Sequence, residues 1–300
     1  MPTQPKTVSL VLGSGGARGL AHIGVIQWLR ENGYTIRSIA GTSMGALIGG
    51  IYATHKLEVY TEWVLALERV HVLRLLDPTI GRPGLFKGER IIGVLRELIG
   101  DHDIESLPMA FTAVATDLET GREVWLREGD LFDAIRASMA TPLVFTPVRR
   151  GDRTLLDGAV VNPLPVAPTL EDDTELTVAV NLSGAAESRP APPAAPTLIG
   201  DSSYRRRILR FVGAARPADA QTVGPKEPSR GLLDVAFKSM QIMQDTIGHL
   251  RVSAYSPDVT VAIPRNACGF FEFWRAEELI TLGRARAEQA FATAGLVDDV

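Results

Sequence analysis

Cysteine is nearly absent. Cys268 is the only one in 300 residues, which excludes an intrachain disulfide and a cysteine-based metal cluster and fits a reducing compartment. A basic surplus is missing as well. With a formal net charge of −4, the chain is not a nucleic-acid binder that relies on bulk positive charge. No apolar run is long enough to span a bilayer. The run Thr7–Leu12 is too short for a signal-peptide core with its cleavage site, and a glycine loop follows it at once. These absences predict a soluble, cytoplasmic protein. What is present is an ordinary globular composition, 45 % hydrophobic and 22 % charged, over a length that buries a sizeable core.

Residues 7–53 read as two βα units. A strand over Thr7–Leu12, the loop Gly13–Gly19 and a helix over Leu20–Glu31 come first. A strand over Thr35–Ala40 and a helix over Met44–Ala53 follow. Short loops between such units predict a mostly parallel central sheet covered by helices on both faces. Residues 57–76 read as helical, and Gly88–Ile99 as an amphipathic helix. Phe111–Thr116 and Glu123–Leu126 form a hairpin pattern across Glu119-Thr120-Gly121, and Leu131–Met139 is a short helix. A second hairpin pairs Thr146–Arg149 with Arg153–Leu156. Leu176–Asn181 and Val259–Ile263 are the last strands, with helices over Leu232–Leu250 and Ala276–Ala294. Residues 184–230, rich in Ala, Pro, Arg and Ser, break the composition and read as a mobile insert.

Gly41-Thr42-Ser43-Met44-Gly45 lies where the second strand turns into its helix. A serine at such a turn is pushed out of the sheet, and a helix N-terminus beneath it favours negative charge there. Ser43 is therefore the candidate nucleophile. The loop Gly13-Ser14-Gly15-Gly16-Ala17-Arg18-Gly19 is either a pyrophosphate-binding nest or an oxyanion hole beside Ser43. Its spacing fits the dinucleotide fingerprint poorly, and no acidic residue ends the next strand for a ribose contact. Arg18 either fixes the loop through neighbouring carbonyls or is a solvated cation.

A nucleophilic serine needs a base, and none of the five histidines sits on a loop after a late strand. His22, His55, His71, His102 and His249 all fall in or beside helices and read as surface or packing residues. Asp157, in Leu155-Leu156-Asp157-Gly158-Ala159, ends a strand, where α/β folds place catalytic groups. It is either a desolvated base bonded directly to the serine or a turn aspartate bonded to its own backbone.

Gly15-Gly16-Ala17-Arg18-Gly19, Gly41-Thr42-Ser43-Met44-Gly45, Ala137-Ser138-Met139-Ala140-Thr141-Pro142 and Asp157-Gly158-Ala159 occur in that order. Together they resemble the patatin-like phospholipases from about Val8 to Leu182. Gly84–Arg90 and Asp157–Pro165 are similar to the bacterial RssA branch, related to the catalytic domain of neuropathy target esterase. The resemblance implies a three-layer sandwich in one domain over residues 1–300. It implies a Ser43–Asp157 dyad without histidine and an oxyanion hole from the amides of Gly15, Gly16, Ala17 and Arg18. No cofactor or metal is implied. Ser138 and Pro142 would shape the floor of the site. The activity implied is a phospholipase A or lysophospholipase-type ester hydrolysis through an acyl-enzyme. Alternatives are an acyltransferase using the same acyl-enzyme, or a non-catalytic module that binds lipid or a partner.

Leu73, Leu75, Leu76, Ile80, Leu85 and Phe86 are candidates for an acyl pocket or simply core. Tyr204–Val212, basic and partly apolar, reads as a solvated helix or as a peripheral contact with an anionic membrane surface. Phe270, Phe271, Phe273 and Trp274 suit a core or lid. The expected partner is a phospholipid or lysophospholipid substrate, with homo-oligomers left open.

Overall fold

The computed structural model describes residues 6–79, 84–188 and 232–296. Eight strands form one mixed sheet: β1 Thr7–Leu12, β2 Thr35–Thr42, β3 Ala110–Asp117, β4 Glu123–Leu126, β5 Val148–Arg150, β6 Arg153–Asp157, β7 Leu176–Gly184 and β8 Val259–Pro264. Their order is β5-β6-β3-β2-β1-β7-β8, with β4 beside β3. The strands β3-β2-β1-β7-β8 run parallel, whereas β4, β6 and β5 are antiparallel additions at one side.

Alternation along the central strands gives the sheet two apolar faces. Val8, Leu10 and Leu12 of β1, with Val178, Val180 and Leu182 of β7, belong to the main core. Val11 and Ala179, between them, point the other way, into a second cluster with Leu164 and Val166. Strands buried on both faces need helices on both faces. The main face is covered by α1 Ala21–Glu31, α2 Met44–Ala53, α6 Leu131–Ser138 and the C-terminal helix α8 Ala276–Thr293. The second is closed by α7 Leu232–Tyr255, whose Val252 and Tyr255 pack on that smaller cluster. The expected α/β sandwich with a mostly parallel sheet is the fold found.

Helices α1 and α8 touch backbone to backbone. A Cβ on Gly24 would lie 1.9 Å from the Ile280 carbonyl oxygen, and one on Gly283 would lie 2.0 Å from that of Ala21. Only glycine permits that approach.

Several boundaries differ from the sequence reading. Gly16–Leu20 is a separate 3-10 turn ahead of α1. Residues 57–76 split into α3 Leu57–Leu65 and α4 Arg69–Leu75, because Glu68 starts a new helix with a capping box to His71. The helix after Gly88 is α5, Glu89–Ile99, and α7 runs on to Tyr255. Most of the Ala/Pro/Arg-rich stretch, including Tyr204–Val212, lies outside the described residues, as does Ile80.

Candidate active site

Strand register brings the two key residues together. Thr42 of β2 pairs with Val114 of β3, and the neighbouring Ala115 pairs with Asp157 of β6. Ser43, one residue beyond Thr42, therefore meets a carboxylate two strands away at the same end of the sheet.

The turn at Ser43 is sharp. Its backbone has φ 56° and ψ −119°, a conformation costly for a residue with a side chain and one found at functional sites. A Cβ on Gly41 would fall 2.5 Å from the backbone of Gly45 and Ala46, and one on Gly45 would fall 2.0 Å from the Leu12 carbonyl oxygen. Both glycines are thus sterically required. Ser138 pins the turn from below: its Oγ accepts from the Ser43 amide at 2.9 Å and donates to the Val114 carbonyl at 2.6 Å.

Ser43 Oγ donates to Asp157 Oδ2 at 2.8 Å. Thr141 Oγ1 donates to the same oxygen at 2.6 Å, and the Ala159 amide donates to Oδ1 at 2.9 Å. Asp157 is only 1 % exposed and Ser43 4 %. Burial disfavours the carboxylate and pushes its pKa up to about 6, although all three hydrogen bonds oppose the rise. The aspartate so held is ionised at neutral pH, yet basic enough to accept a proton.

Among the described residues, no histidine hydrogen-bonds to Ser43 or Asp157. His22 is fully buried, and its Nε2 donates to the Gly13 carbonyl at 2.9 Å. Burial lowers its pKa to about 4, so it is a neutral prop beneath the glycine loop.

The loop itself is held from several sides. The Gly13 amide donates to Val180 O at 3.1 Å, and the Ser14 amide to Pro163 O at 2.9 Å. Arg18, 8 % exposed, donates Nε to Gly15 O at 3.1 Å and Nη1 to Arg265 O at 3.0 Å. Its side chain thus ties the loop down rather than sitting in solvent. Gly16 lines the same crevice as Ser43. Gly15 backs onto Leu182, and the Ala17 amide is already engaged, donating to the Phe270 carbonyl at 2.9 Å.

That crevice is apolar. Met44, Leu47, Tyr60, Trp63, Val64 and Phe271 are among its walls, and its volume is about 60 Å³. Leu75 and Leu76 line it as expected, but Leu73 and Leu85 are exposed and Phe86 packs on Phe145 instead. Of the aromatic group, Phe270, Phe271 and Phe273 wall the crevice, while Trp274 lies under the Arg69 guanidinium at 5.5 Å. Two roles were not read from the sequence: Thr141, inside one of the four motifs, as a donor to Asp157, and Phe270, a core or lid candidate, as a partner of the loop.

The sandwich, the serine turn and the glycine loop define a patatin-type fold. The patatin-like phospholipase family model matches residues 10–170, and the chain belongs to that family. An uncharacterized NTE family protein of Mycobacterium tuberculosis, Rv1063c, is 38 % identical over 338 aligned positions, covering 97 % of this chain and 93 % of the relative. The mouse patatin-like phospholipase domain-containing protein 6 is 30 % identical over 190 positions, 61 % of this chain and 14 % of that protein. The crystal structure of VipD from Legionella pneumophila aligns at a TM-score of 0.42 and 13 % identity, covering 97 % of this chain and 67 % of that one. Family membership implies hydrolysis of lipid esters. Among the described residues, no helix is long and apolar enough to cross a membrane.

Proposed function

We propose that the chain is a serine lipid acyl hydrolase of the phospholipase A or lysophospholipase type, folded as one domain, with Ser43 as nucleophile and Asp157 as base. The observation that carries this reading is the 2.8 Å hydrogen bond from Ser43 Oγ to a buried aspartate of raised pKa. Asp157 takes the Ser43 proton as Oγ attacks the acyl carbonyl. The proton passes to the departing alcohol, leaving an acyl-enzyme. Asp157 then deprotonates water, which attacks the acyl carbonyl; the fatty acid leaves and Ser43 regains its proton.

The oxyanion of each tetrahedral intermediate is held by the amides of Gly15, Gly16, Ala17 and Arg18, worth roughly 10²–10³ in rate for one such donor. The Ala17 amide joins them once the Phe270 carbonyl gives way. The acyl chain occupies the crevice next to Ser43, whose walls must part to admit it. Fluorophosphonate labelling with peptide mapping tests this. The expected result is one adduct, on Ser43, absent from Ser43→Ala. An adduct elsewhere, or none in the presence of detergent or lipid vesicles, overturns it.

A further inference from the structure

Beyond the glycine loop from the apolar crevice lies a second cavity of about 620 Å³, walled by Phe237, Ile242 and Phe270 as well as by charged side chains. Arg18, Lys238, Gln241, Asp245, Arg265 and Asn266 line it. Three of these are cations and one is an anion, in a chain whose formal net charge is −4. Asp245 accepts from the Ser183 hydroxyl and keeps its negative charge, which acts on Arg18, so the surplus of the lining is two positive charges, those of Lys238 and Arg265. Arg18 is buried and held on two carbonyls, so its charge is fixed at the wall. Lys238 and Arg265 are exposed at the rim, and among the described residues neither makes an ion pair within 4 Å. A concave site with this balance favours an anion.

Phe270 lines both spaces. Its ring lies against Gly16 and edge-on to Phe237 and Phe271, with centroids 5.1 and 4.9 Å away. Crevice and cavity therefore share Phe270 as a common wall beside the glycine loop. From Gly16 to Arg18 is two residue steps, at most about 7 Å. A lipid ester seated at Ser43, with its chain in the crevice, carries a phosphoryl group across that span.

We propose that this second cavity, with its cationic side chains, is the subsite for the phosphoryl headgroup of an anionic lipid, reached when Phe270 turns aside. This rests on the acyl-hydrolase reading for the position of the ester. The consequence is preference for phosphate-bearing lipids over neutral glycerides of the same acyl chain.

The test needs no turnover. Full-length Ser43→Ala protein is titrated calorimetrically with lysophosphatidylglycerol below its micelle concentration, the monoacylglycerol of equal chain length, glycerol 3-phosphate and inorganic phosphate. The lysophospholipid is expected to bind at least tenfold more tightly than the monoacylglycerol. Adding Lys238→Ala and Arg265→Ala should abolish that advantage, and Lys238→Gln alone should reduce it; thermal melts check that each variant is folded. Equal affinities for the two lipids overturn the proposal, as does an advantage that survives the double substitution. Inorganic phosphate binding without lipid discrimination overturns it in favour of a free-anion site. Failure of the hydrolase reading appears separately, as the lack of a fluorophosphonate adduct on Ser43 in the unsubstituted chain.

Discussion

As the proposed base, Asp157 should couple activity and stability to pH in opposite directions. Its carboxyl titrates near 6 in the fold against 3.8 when unperturbed, a rise caused chiefly by burial. A base works only when deprotonated, so kcat/KM should drop roughly tenfold from pH 7 to pH 5. The effect on stability has the reverse sign. Below pH 3.8 both folded and unfolded chains hold the proton, and the group contributes nothing. Between 3.8 and about 6 the fold binds the proton more tightly, and above 6 it carries a buried carboxylate. Two pH units at 1.36 kcal/mol each make that penalty about 3 kcal/mol.

Asp157→Asn removes the charge and keeps the shape. Its Oδ1 can still accept from the Ala159 amide, and its NH₂ faces the hydroxyl oxygens of Ser43 and Thr141. The variant should be inactive yet more stable than the native chain, by up to about 3 kcal/mol at pH 8 and by only about 1 kcal/mol at pH 4.5. Urea unfolding followed by circular dichroism at both pH values, with initial rates on a soluble ester, measures both effects. An Asn variant less stable than the native chain at pH 8, or a native rate flat from pH 5 to pH 8, refutes the reasoning.

Ser43→Ala should abolish esterase turnover while leaving the melting curve cooperative; residual activity above a few per cent would rule out Ser43 as nucleophile. Ser138→Ala leaves the Ser43 amide and the Val114 carbonyl without their buried partner, at about 1–3 kcal/mol for each group. Because it loosens the serine turn rather than the lipid crevice, kcat should fall more than KM rises in steady-state assays. Gly45→Ala places a methyl group 2.0 Å from Leu12 O and should prevent a native melt. Gly33→Ala has open space but φ +79° and should cost only about 1–2 kcal/mol in urea.

The candidate site was legible where chemistry and chain position coincide. Ser43 announces itself because a strand, two flanking glycines and a small-residue helix leave one geometry for the turn. Asp157 was visible as a strand-end carboxylate, but residues alone left it between base and turn aspartate. The register Thr42–Val114 and Ala115–Asp157 decides its neighbourhood, and register across three strands is not written in any local pattern. Thr141 was hidden for the same reason: its hydroxyl matters only because the loop after α6 folds over β6. Among the described acyl-pocket candidates only Leu75 and Leu76 line the crevice, because α4 carries apolar residues on more than one face. Val72 and Leu75 face the crevice while Val70 and Leu73 face solvent, and periodicity does not say which side is which. Phe270 comes from the far end of the chain and touches the loop through its backbone carbonyl, a contact no side-chain pattern encodes.

The position of β7 bears on how such a protein can be cut and inherited. All four motifs lie before residue 170, where the family model stops. Yet β1, the strand that delivers the glycine loop, pairs along its whole inner edge with Leu176–Val180 of β7. Even the Gly13 amide is anchored there, on Val180 O. A chain ended at Leu170 would carry both candidate catalytic residues, Ser43 and Asp157, and leave β1 as a bare edge, an invitation to pair with other copies. It would also strip α1 of the helix against which Gly24 is fitted. The motif-poor half therefore cannot be deleted: minimal versions of this protein must retain the last two strands and the terminal helix.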